Sequence, residues 1–334
     1  MTGPGLLTAL WLTPLVGALV VVVLPGSARR AARPLALVTS LVVLGVAVAL
    51  AVGFEPGGET HQFVESRPWI PAFGATYTLG IDGVALVLVL LTAALMPLLL
   101  LAGWRDTDGP GGDRPAPNGR RTQAYPALML ATQGLALVAF TSLDVLLFYV
   151  AFEAMLIPLY FLIGGFGTGA FGDSGADRAQ AAVRFLLYNL LGGLVMLAAV
   201  LGLYMYTARA GLGPDGRGTF DYRLITDAVA DGRLQIPPGA MLLLFAGFTL
   251  AFAIKAPLWP FHTWLPGAAV AATPASAVLM MAVVDKVGTF AMLRYSLPLF
   301  PEAAATAAPV MVTLAVISIV YGGIMAIAQT DLLR

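Results

Sequence analysis

Two lysines are the residues whose type and position point most directly to chemistry. The chain has sixteen arginines but only two lysines, Lys255 and Lys286, and both stand within apolar stretches. Arginine stays charged at any attainable pH, whereas a lysine inside a protein can lose its proton. A site that takes up and releases protons needs the second behaviour. The pattern therefore points to proton transfer in an apolar environment.

Glu153 is the acidic residue that fits such a site. It is the only charged residue between Asp144 and Asp173. If a helix starts near Asp144, Glu153 lies about 13 Å along it. Burial favours the protonated carboxyl and a nearby lysine favours the ionised one, so the two can exchange a proton as their spacing changes. The alternative is a static buried ion pair, which is weak evidence of stability.

Lys255 directly precedes a segment that a helix cannot cross unbroken. Pro257 has no N–H for the carbonyl of Ala253, and Pro260 has none for that of Ala256. A broken helix at membrane depth is tolerated where its backbone lines a polar cavity or is buried in protein, and such helices form ion sites in transporters. The alternative is a helix end, with Lys255 reaching toward the interface. Apolar sequence continuing to Val270 favours the break.

Lys286 is expected near the middle of an apolar stretch. It lies about 16–20 Å from either end of residues 273–297 at the rise of an α-helix. Ionisable residues at this depth are costly and mark ion or proton paths by default. The alternative is a fixed pair with an acid, Asp285 or one on another helix.

Two further side chains are weaker candidates. His262 follows the proline-rich segment, and an imidazole titrates in the range that suits a relay between the lysines. A lone histidine is as often a hydrogen-bonded core residue, and both readings stay open. Arg184 lies early in another apolar stretch and is expected to be an anchor or a fixed counter-charge.

The composition requires these residues to be positioned inside a membrane. The 334 residues are 59% hydrophobic and 11% charged, with a mean hydropathy of +0.88. A soluble domain of this size has about twice as many charged residues. The net charge of zero gives no indication of a nucleic-acid partner. The sequence has no cysteine, which excludes cysteine-ligated zinc and iron–sulfur clusters, and its two histidines, His61 and His262, are too few for paired haem ligation within the membrane.

Nine apolar stretches are long enough to cross a bilayer core about 30 Å thick. They do not alternate as barrel strands do, so the sequence predicts an all-α polytopic membrane protein with a discontinuous seventh helix. The predicted spans are 6–24, 34–54, 83–103, 125–143, 145–166, 179–206, 238–257, 273–297 and 306–328.

The positive charges predict an orientation. The first loop carries Arg29, Arg30 and Arg33, and the third carries four more arginines, whereas the second is mainly acidic. Positive loops face the cytoplasm, so the N-terminus is expected outside, with the first helix retained rather than cleaved. Two Gly-x-Gly-x-x-Gly matches, residues 167–172 and 211–216, lie in inter-helix loops without a preceding strand and are discounted as nucleotide sites.

Two motifs resemble the antiporter-like subunits of respiratory complex I. The run Phe152-Glu153-Ala154-Met155-Leu156-Ile157-Pro158-Leu159-Tyr160-Phe161-Leu162-Ile163-Gly164 is similar to the fifth-helix motif of the M-type, or subunit 4 type, chains. The run Lys255-Ala256-Pro257-Leu258-Trp259-Pro260-Phe261-His262-Thr263-Trp264-Leu265-Pro266 resembles their seventh-helix signature. Pro274 and Lys286 fit the eighth helix, and Gln329-Thr330-Asp331-Leu332 resembles the end of the ninth. The likeness spans residues 75–334.

The resemblance implies a division of the chain. Residues 1–124 would form helices 1–3, residues 125–302 the first antiporter-like repeat of helices 4–8, and residues 303–334 the start of a second, truncated repeat. The family has about fourteen helices and a final acidic proton carrier on the twelfth. The chain is therefore expected to be an N-terminal fragment of a longer protein.

The resemblance also implies a function. It assigns proton translocation to Glu153, Lys255 and Lys286, with His262 a possible relay, in a translocase coupled to NADH oxidation and quinone reduction on other subunits. No cofactor is expected on this chain, since NADH, FMN, iron–sulfur clusters and quinone would bind partner subunits. The expected partners are the lipid bilayer of a bacterial inner membrane and other membrane-arm subunits, including L-type and N-type antiporter-like chains, but no nucleic acid.

Three alternatives remain open at this point. The first is a subunit of a secondary sodium/proton antiporter, which has no redox partner. The second is the matching membrane subunit of an energy-converting hydrogenase. The third is a structural membrane anchor whose buried charges only hold helices together. The fifth-helix motif favours the M-type chain over the antiporter.

Overall fold

A computed structural model describes residues 5–106, 120–167 and 175–329. These residues contain nine helical segments long and apolar enough to cross a membrane. Their ends agree with the predicted spans to within about five residues, except that the second span begins eight residues earlier when the 3₁₀ turn before it is included. The prediction of a polytopic helical membrane protein is therefore confirmed.

Six of the nine spans are single α-helices. Each is rich in Leu, Val and Ala, and its backbone hydrogen bonds lie largely within the helix, as a bilayer requires. Four of the six continue through an internal proline, namely Pro14, Pro97, Pro126 and Pro309. These helices are α1 (Leu6–Val23), α2 (Ala32–Gly53), α3 (Gly83–Ala102), α4 (Arg120–Thr141), α7 (Gly175–Arg209) and α14 (Pro301–Ala328).

The fifth span is interrupted in its middle. It consists of α5 (Val145–Ala154) and α6 (Leu156–Phe166), which meet at Met155. Pro158 lacks the N–H that would bond the carbonyl of Ala154, and its ring crowds that carbonyl, so the helix deforms there. The interruption places Glu153 at the end of α5.

The seventh span is discontinuous, as predicted. It runs as α9 (Pro238–Lys255), a five-residue non-helical segment that we call the break (residues 256–260), a 3₁₀ turn, and α10 (Leu265–Ala271). The carbonyl of Ala253, which Pro257 cannot serve, accepts instead from the N–H of Leu258 at 2.9 Å. The buried indole of Trp264 donates to the carbonyl of Ile254 at 2.9 Å. Neighbouring groups thus bond the carbonyls of Ala253 and Ile254, which the break leaves without their usual helical partners.

The eighth span is irregular in a way that the sequence did not indicate. Two π-helical turns, Met280–Val284 and Met292–Ser296, separate α11 (Pro274–Leu279), α12 (Asp285–Ala291) and α13 (Leu297–Leu299). Such turns occur often at functional sites. The short α12 between them carries both Asp285 and Lys286.

A β-hairpin, which the all-helical prediction missed, lies between α2 and α3. Strand β1 (Gln62–Ile70) pairs antiparallel with β2 (Ala75–Ile81). Glu65 of the hairpin accepts from the N–H groups of Leu7 at 2.7 Å and Thr8 at 3.2 Å. It thereby caps α1, where a negative charge also complements the helix dipole.

The hairpin marks one face of the molecule. Its residue Leu79 forms a β-bridge with Ser142, and Asp144 forms a β-bridge with Asp221 in the loop before α8 (Tyr222–Ala230).

Asp144 lies on the same side of the protein as the hairpin. Its carboxylate caps α5 by accepting hydrogen bonds from the N–H groups of Leu146 and Leu147. Burial raises the pKa of Asp144 to about 6, against the opposing effect of these hydrogen bonds. We call this side of the protein the hairpin face.

The core and the outer surface differ sharply in exposure. The middle of α4 is almost wholly buried among its neighbours, whereas α14 buries only Ala303. Its exposed residues are mostly Val, Ile and Ala, which suit contact with lipid or with further protein. The Gly-rich match at 167–172 falls almost entirely outside the described residues, as do Thr330, Asp331 and Leu332.

Candidate functional site

Lys255 is held in the protein interior at the point where α9 ends. Its side chain is 1% exposed. The ammonium group donates to the carbonyl of Phe152 at 2.6 Å and lies 3.5 Å from the centroid of the Phe152 ring. A carbonyl and an aromatic face therefore hold the lysine, through a hydrogen bond and a cation–π contact.

Glu153 lies beside Lys255 without touching it. The two charges interact electrostatically, yet no nitrogen–oxygen contact within 4.0 Å joins them. The buried Oε1 of Glu153 has no hydrogen-bond partner in the described part of the chain. The two side chains therefore form no ion pair in this conformation.

Gly193 of α7 makes room for the carboxylate. A Cβ atom at this position would overlap the carboxylate of Glu153. Gly193 lies near the centre of the 35-residue α7, about 27 Å and 24 Å from its two ends at the helical rise per residue. The Glu153–Lys255 pair therefore lies near the middle of the membrane-spanning region.

An aromatic cluster separates this pair from the hairpin face. Phe148 contacts Tyr295 and Phe252 with ring centroids 4.4 Å and 6.0 Å apart, and Phe152 lies 5.7 Å from Phe252. The hydroxyl of Tyr295 donates to the carbonyl of Ser142, which places the cluster below the hairpin face. Packed aromatic side chains exclude water, so they close this direction in the conformation described.

Lys286 lies at mid-helix depth with an exposed side chain, whereas its neighbour Asp285 is buried. The two side chains interact electrostatically, but they form no ion pair within 4.0 Å. Oδ1 of Asp285 has no hydrogen-bond partner among the residues described. Lys286 is therefore not fixed by a contact with Asp285, and the structure does not bring it into contact with Glu153 or Lys255.

His262 and Arg184 meet at a cavity on the side of the break away from the hairpin face. The cavity has a volume of about 580 Å³, and its lining includes Arg184, Pro257, Trp259, His262, Tyr321 and Gln329. The ring of His262 lies 5.2 Å from that of Tyr321, and its buried Nδ1 has no partner in the described chain. The break thus has the Glu153–Lys255 pair on one side and the cavity lined by Arg184 and His262 on the other.

Sequence reasoning missed two contributors to the interior. Nothing in the sequence marks Gly193 as part of the site, because glycines are common in apolar helices. Its contact with the Glu153 carboxylate becomes visible only in the fold. Gln133 of α4 is 0% exposed, and neither its Oε1 nor its Nε2 has a hydrogen-bond partner in residues 5–106, 120–167 and 175–329. A polar amide within an apolar span was the available signal.

The described residues contain no group of three or more His, Asp or Glu side chains that could hold a metal ion. The chemistry that this arrangement can perform unaided is proton transfer between carboxyl and amine groups.

The amino-acid sequence has clear relatives. A subunit M of NADH-quinone oxidoreductase from Mycobacterium tuberculosis is 55% identical over 346 residues, an alignment that covers 98% of this chain. The same alignment covers 61% of that relative, so the chain spans about three fifths of its length.

Two solved structures resemble the fold. A chain of respiratory complex I from Thermus thermophilus matches with a TM-score of 0.78 and 30% identity, over 98% of this chain and 60% of that one. A chain of the Mrp complex from Dietzia matches with a TM-score of 0.75 and 25% identity, over 98% and 32%.

The family described as NADH:quinone oxidoreductase/Mrp antiporter, TM (transmembrane) matches residues 142–334. This region includes Glu153, Lys255, His262 and Lys286, together with the break. The chain therefore belongs to the NADH:quinone oxidoreductase/Mrp antiporter transmembrane family.

Proposed function

We propose that the chain is part of an M-type membrane-arm subunit of a proton-translocating NADH-quinone oxidoreductase. The relative that is 55% identical over 98% of this chain is named NADH-quinone oxidoreductase subunit M, which supports the assignment. The observation that carries the mechanism is the pair formed by the half-buried Glu153 and the buried Lys255 at a helix break, close in space yet not joined by a hydrogen bond.

The proton step follows from the spacing of the pair. When Lys255 moves toward Glu153, the two charges stabilise each other and the carboxyl group stays ionised. When Lys255 withdraws to the carbonyl of Phe152, Glu153 is left in a medium that penalises an unpaired charge, and it binds a proton. The return of Lys255 favours release of that proton. A change in backbone position at the break therefore becomes a change in proton occupancy.

The surroundings of the pair give this step a direction. The aromatic cluster closes the route toward the hairpin face, and the cavity containing His262 opens on the other side of the break. His262 is proposed as a relay from that cavity. Lys286 is proposed to receive the proton on the far side of α12.

Partner subunits would supply the energy. NADH, FMN, iron–sulfur clusters and quinone are proposed to bind other chains of the complex. The proposed partners of this chain in the membrane include L-type and N-type antiporter-like subunits. The proposed location is a bacterial inner membrane. If the arginines of the first and third loops face the cytoplasm, the hairpin face and the N-terminus lie outside, and this is the orientation proposed.

The test is NADH-driven acidification of inverted membrane vesicles from a strain whose full-length gene carries Glu153→Gln. Assembly of the complex and NADH oxidation with an artificial acceptor serve as controls, because neither requires proton translocation. The proposal predicts that both controls hold while quinone-linked turnover and acidification fall by about tenfold or more. Unchanged acidification would remove Glu153 from the proton path.

A subunit of a sodium/proton antiporter is the second candidate, which the structural match to an Mrp complex favours. The same vesicles distinguish the two. An antiporter predicts proton movement that is driven by a sodium gradient and is independent of NADH. The oxidoreductase subunit predicts proton movement that requires NADH and is insensitive to sodium.

A further inference from the structure

Two buried polar side chains outside the Glu153–Lys255 pair lack hydrogen-bond partners. Asp285 is 8% exposed and Gln133 is 0% exposed. Oδ1 of Asp285 and both polar atoms of the Gln133 amide are unpaired within the described residues. Buried polar groups almost always have a partner from protein or water, so each unpaired group calls for a specific explanation.

The packing of α4 against the eighth span places these two residues at the same depth. At one end Ser276 donates to the hydroxyl of Tyr125 at 3.2 Å, and at the other the rings of Phe140 and Phe290 lie 5.4 Å apart. The two helices therefore run side by side in the same direction. Between these contacts, Gln133 aligns with residues 283–284, within about 3 Å of the level of Asp285 at the helical rise.

Asp285 also faces the break. Gly288 lies three residues further, on the same side of α12. A Cβ at Gly288 would come within 2.8 Å of the nitrogen of Ala256 and 3.0 Å of the carbonyl oxygen of Phe252. This close approach brings the face of α12 that carries Asp285 against the end of α9.

The charged groups around Asp285 are the two lysines. Its carboxylate interacts electrostatically with Lys286 of its own helix and with Lys255 at the end of α9. On α4, the uncharged amide of Gln133 lies at about the same depth. Asp285 is thus a buried carboxyl group between a buried lysine and an exposed one.

We propose that Asp285 is a proton-binding residue that connects Lys255 to Lys286, in a polar site that Gln133 completes. In this transfer an N–H bond of the Lys255 ammonium breaks and an O–H bond forms on Asp285. The O–H bond then breaks as the neutral amine of Lys286 takes the proton, so nothing is oxidised or reduced. In this proposal the amide of Gln133 and water solvate the carboxyl group of Asp285, both when it is protonated and when it is ionised. This inference rests on the proposed function and adds a carrier to its path.

The first test is Asp285→Asn in the full-length gene of the assembled complex. Asparagine keeps the shape and polarity of the side chain but cannot carry a proton. The expected result is intact assembly and artificial-acceptor activity, with NADH-driven acidification reduced by about tenfold or more. Asp285→Glu should restore most of the activity with a shifted pH profile, which a purely structural role would not produce.

Two comparisons make the result decisive. Asp231→Asn removes a carboxylate from the exposed Arg233–Asp231 pair and should leave acidification unchanged. Glu153→Gln, run in parallel, separates the two ideas. If Asp285→Asn is fully active while Glu153→Gln is not, Asp285 is no carrier and the proposed function stands. If Glu153→Gln is also fully active, Glu153 is no proton carrier and the proton step proposed for the Glu153–Lys255 pair fails.

Gln133→Leu decides the matter if Asp285→Asn does not assemble. Leucine fills a similar volume without the amide, so the proposal predicts slower quinone-linked turnover and a larger solvent deuterium isotope effect on that turnover. An unchanged rate and isotope effect would overturn the proposed site.

Discussion

At the scale of single residues, the arrangement of Lys255 is that of a movable charge. A buried ammonium could be held permanently by a carboxylate, yet Lys255 bonds to the carbonyl of Phe152 and leaves Glu153 unbonded. Removing one partner of a buried pair leaves the other charge uncompensated, at a cost of about 3–5 kcal/mol. A small movement of Lys255 away from Glu153 incurs part of the same cost, and this is sufficient to change the proton occupancy of Glu153.

Lys255→Arg tests whether the lysine must release its proton. Arginine preserves the positive charge but does not deprotonate in a protein, so we expect assembly to persist while proton translocation falls about tenfold or more. The measurement is NADH-driven acidification of vesicles. Arg233→Lys, at an exposed pair, is the reverse exchange and should have no effect. If the Lys255→Arg variant acidifies the vesicles at the rate of the unmodified complex, the lysine serves only as a fixed charge.

Gly193→Ala tests the space that the Glu153 carboxylate occupies. The new methyl group would overlap the carboxylate and displace it from its position beside Lys255. We expect a loss of turnover similar to that of Glu153→Gln, measured as quinone-linked NADH oxidation in membranes. Gly45→Ala in α2 is the matched control, because a Cβ there meets no atom within 4 Å. Equal activity of the two variants would contradict the geometry of the site.

At the scale of elements, the prolines made one break predictable and left others hidden. Pro257 and Pro260 predict the discontinuity of the seventh span, because a proline in the sequence is known to lack the N–H group that a continuous helix needs. The π-helical turns around Asp285 and Lys286 have no such local signal, since they result from packing. The β-hairpin was missed because its strands lie in a polar loop that was assigned no regular structure between two strongly apolar helices.

A second element-scale contact joins the hairpin face to the eighth span. The buried Arg294 pairs with Asp82 at 2.8 Å, and its Nη1 lies 2.8 Å from Nε2 of His61. Because arginine only donates, His61 must accept and is therefore neutral on this nitrogen. Burial, and next the charge of Arg294, lower the pKa of His61, while the carboxylates of Asp82 and Asp221 oppose the shift and Arg223 adds to it.

The lowered pKa of His61 predicts acid sensitivity of this contact. As the pH falls below the ordinary histidine pKa of about 6.5, the unfolded state binds a proton that the folded state does not, so stability is lost. Above that pH the contribution is complete. We expect hydrogen exchange of the hairpin amides, corrected for intrinsic rates, to accelerate on acidification. His61→Gln retains an acceptor without titrating and should remove this dependence, whereas an unchanged pH profile would contradict it.

At the scale of the whole molecule, the sequence was sufficient for the number and order of the spans. Apolar length defines a transmembrane helix almost independently of tertiary structure, which is why these boundaries agree with the structure. The division at residues 124 and 302, the orientation in the membrane and the roles of the site residues stay predictions. Contacts between distant segments, such as Gly193 with Glu153 or Gly288 with Ala256, depend on how helices pack and cannot be read from one sequence.

The most direct test of the central claim is a double-variant cycle on Glu153 and Lys255. NADH-driven acidification is measured for Glu153→Gln, for Lys255→Gln and for the two combined, with each rate normalised to assembled complex. If the residues act as one proton-exchanging unit, the combined variant will be no worse than the more damaged single variant, because it also removes the unpaired buried charge. If the two losses instead multiply, or if either single variant pumps normally, the pair is not the unit that moves the proton.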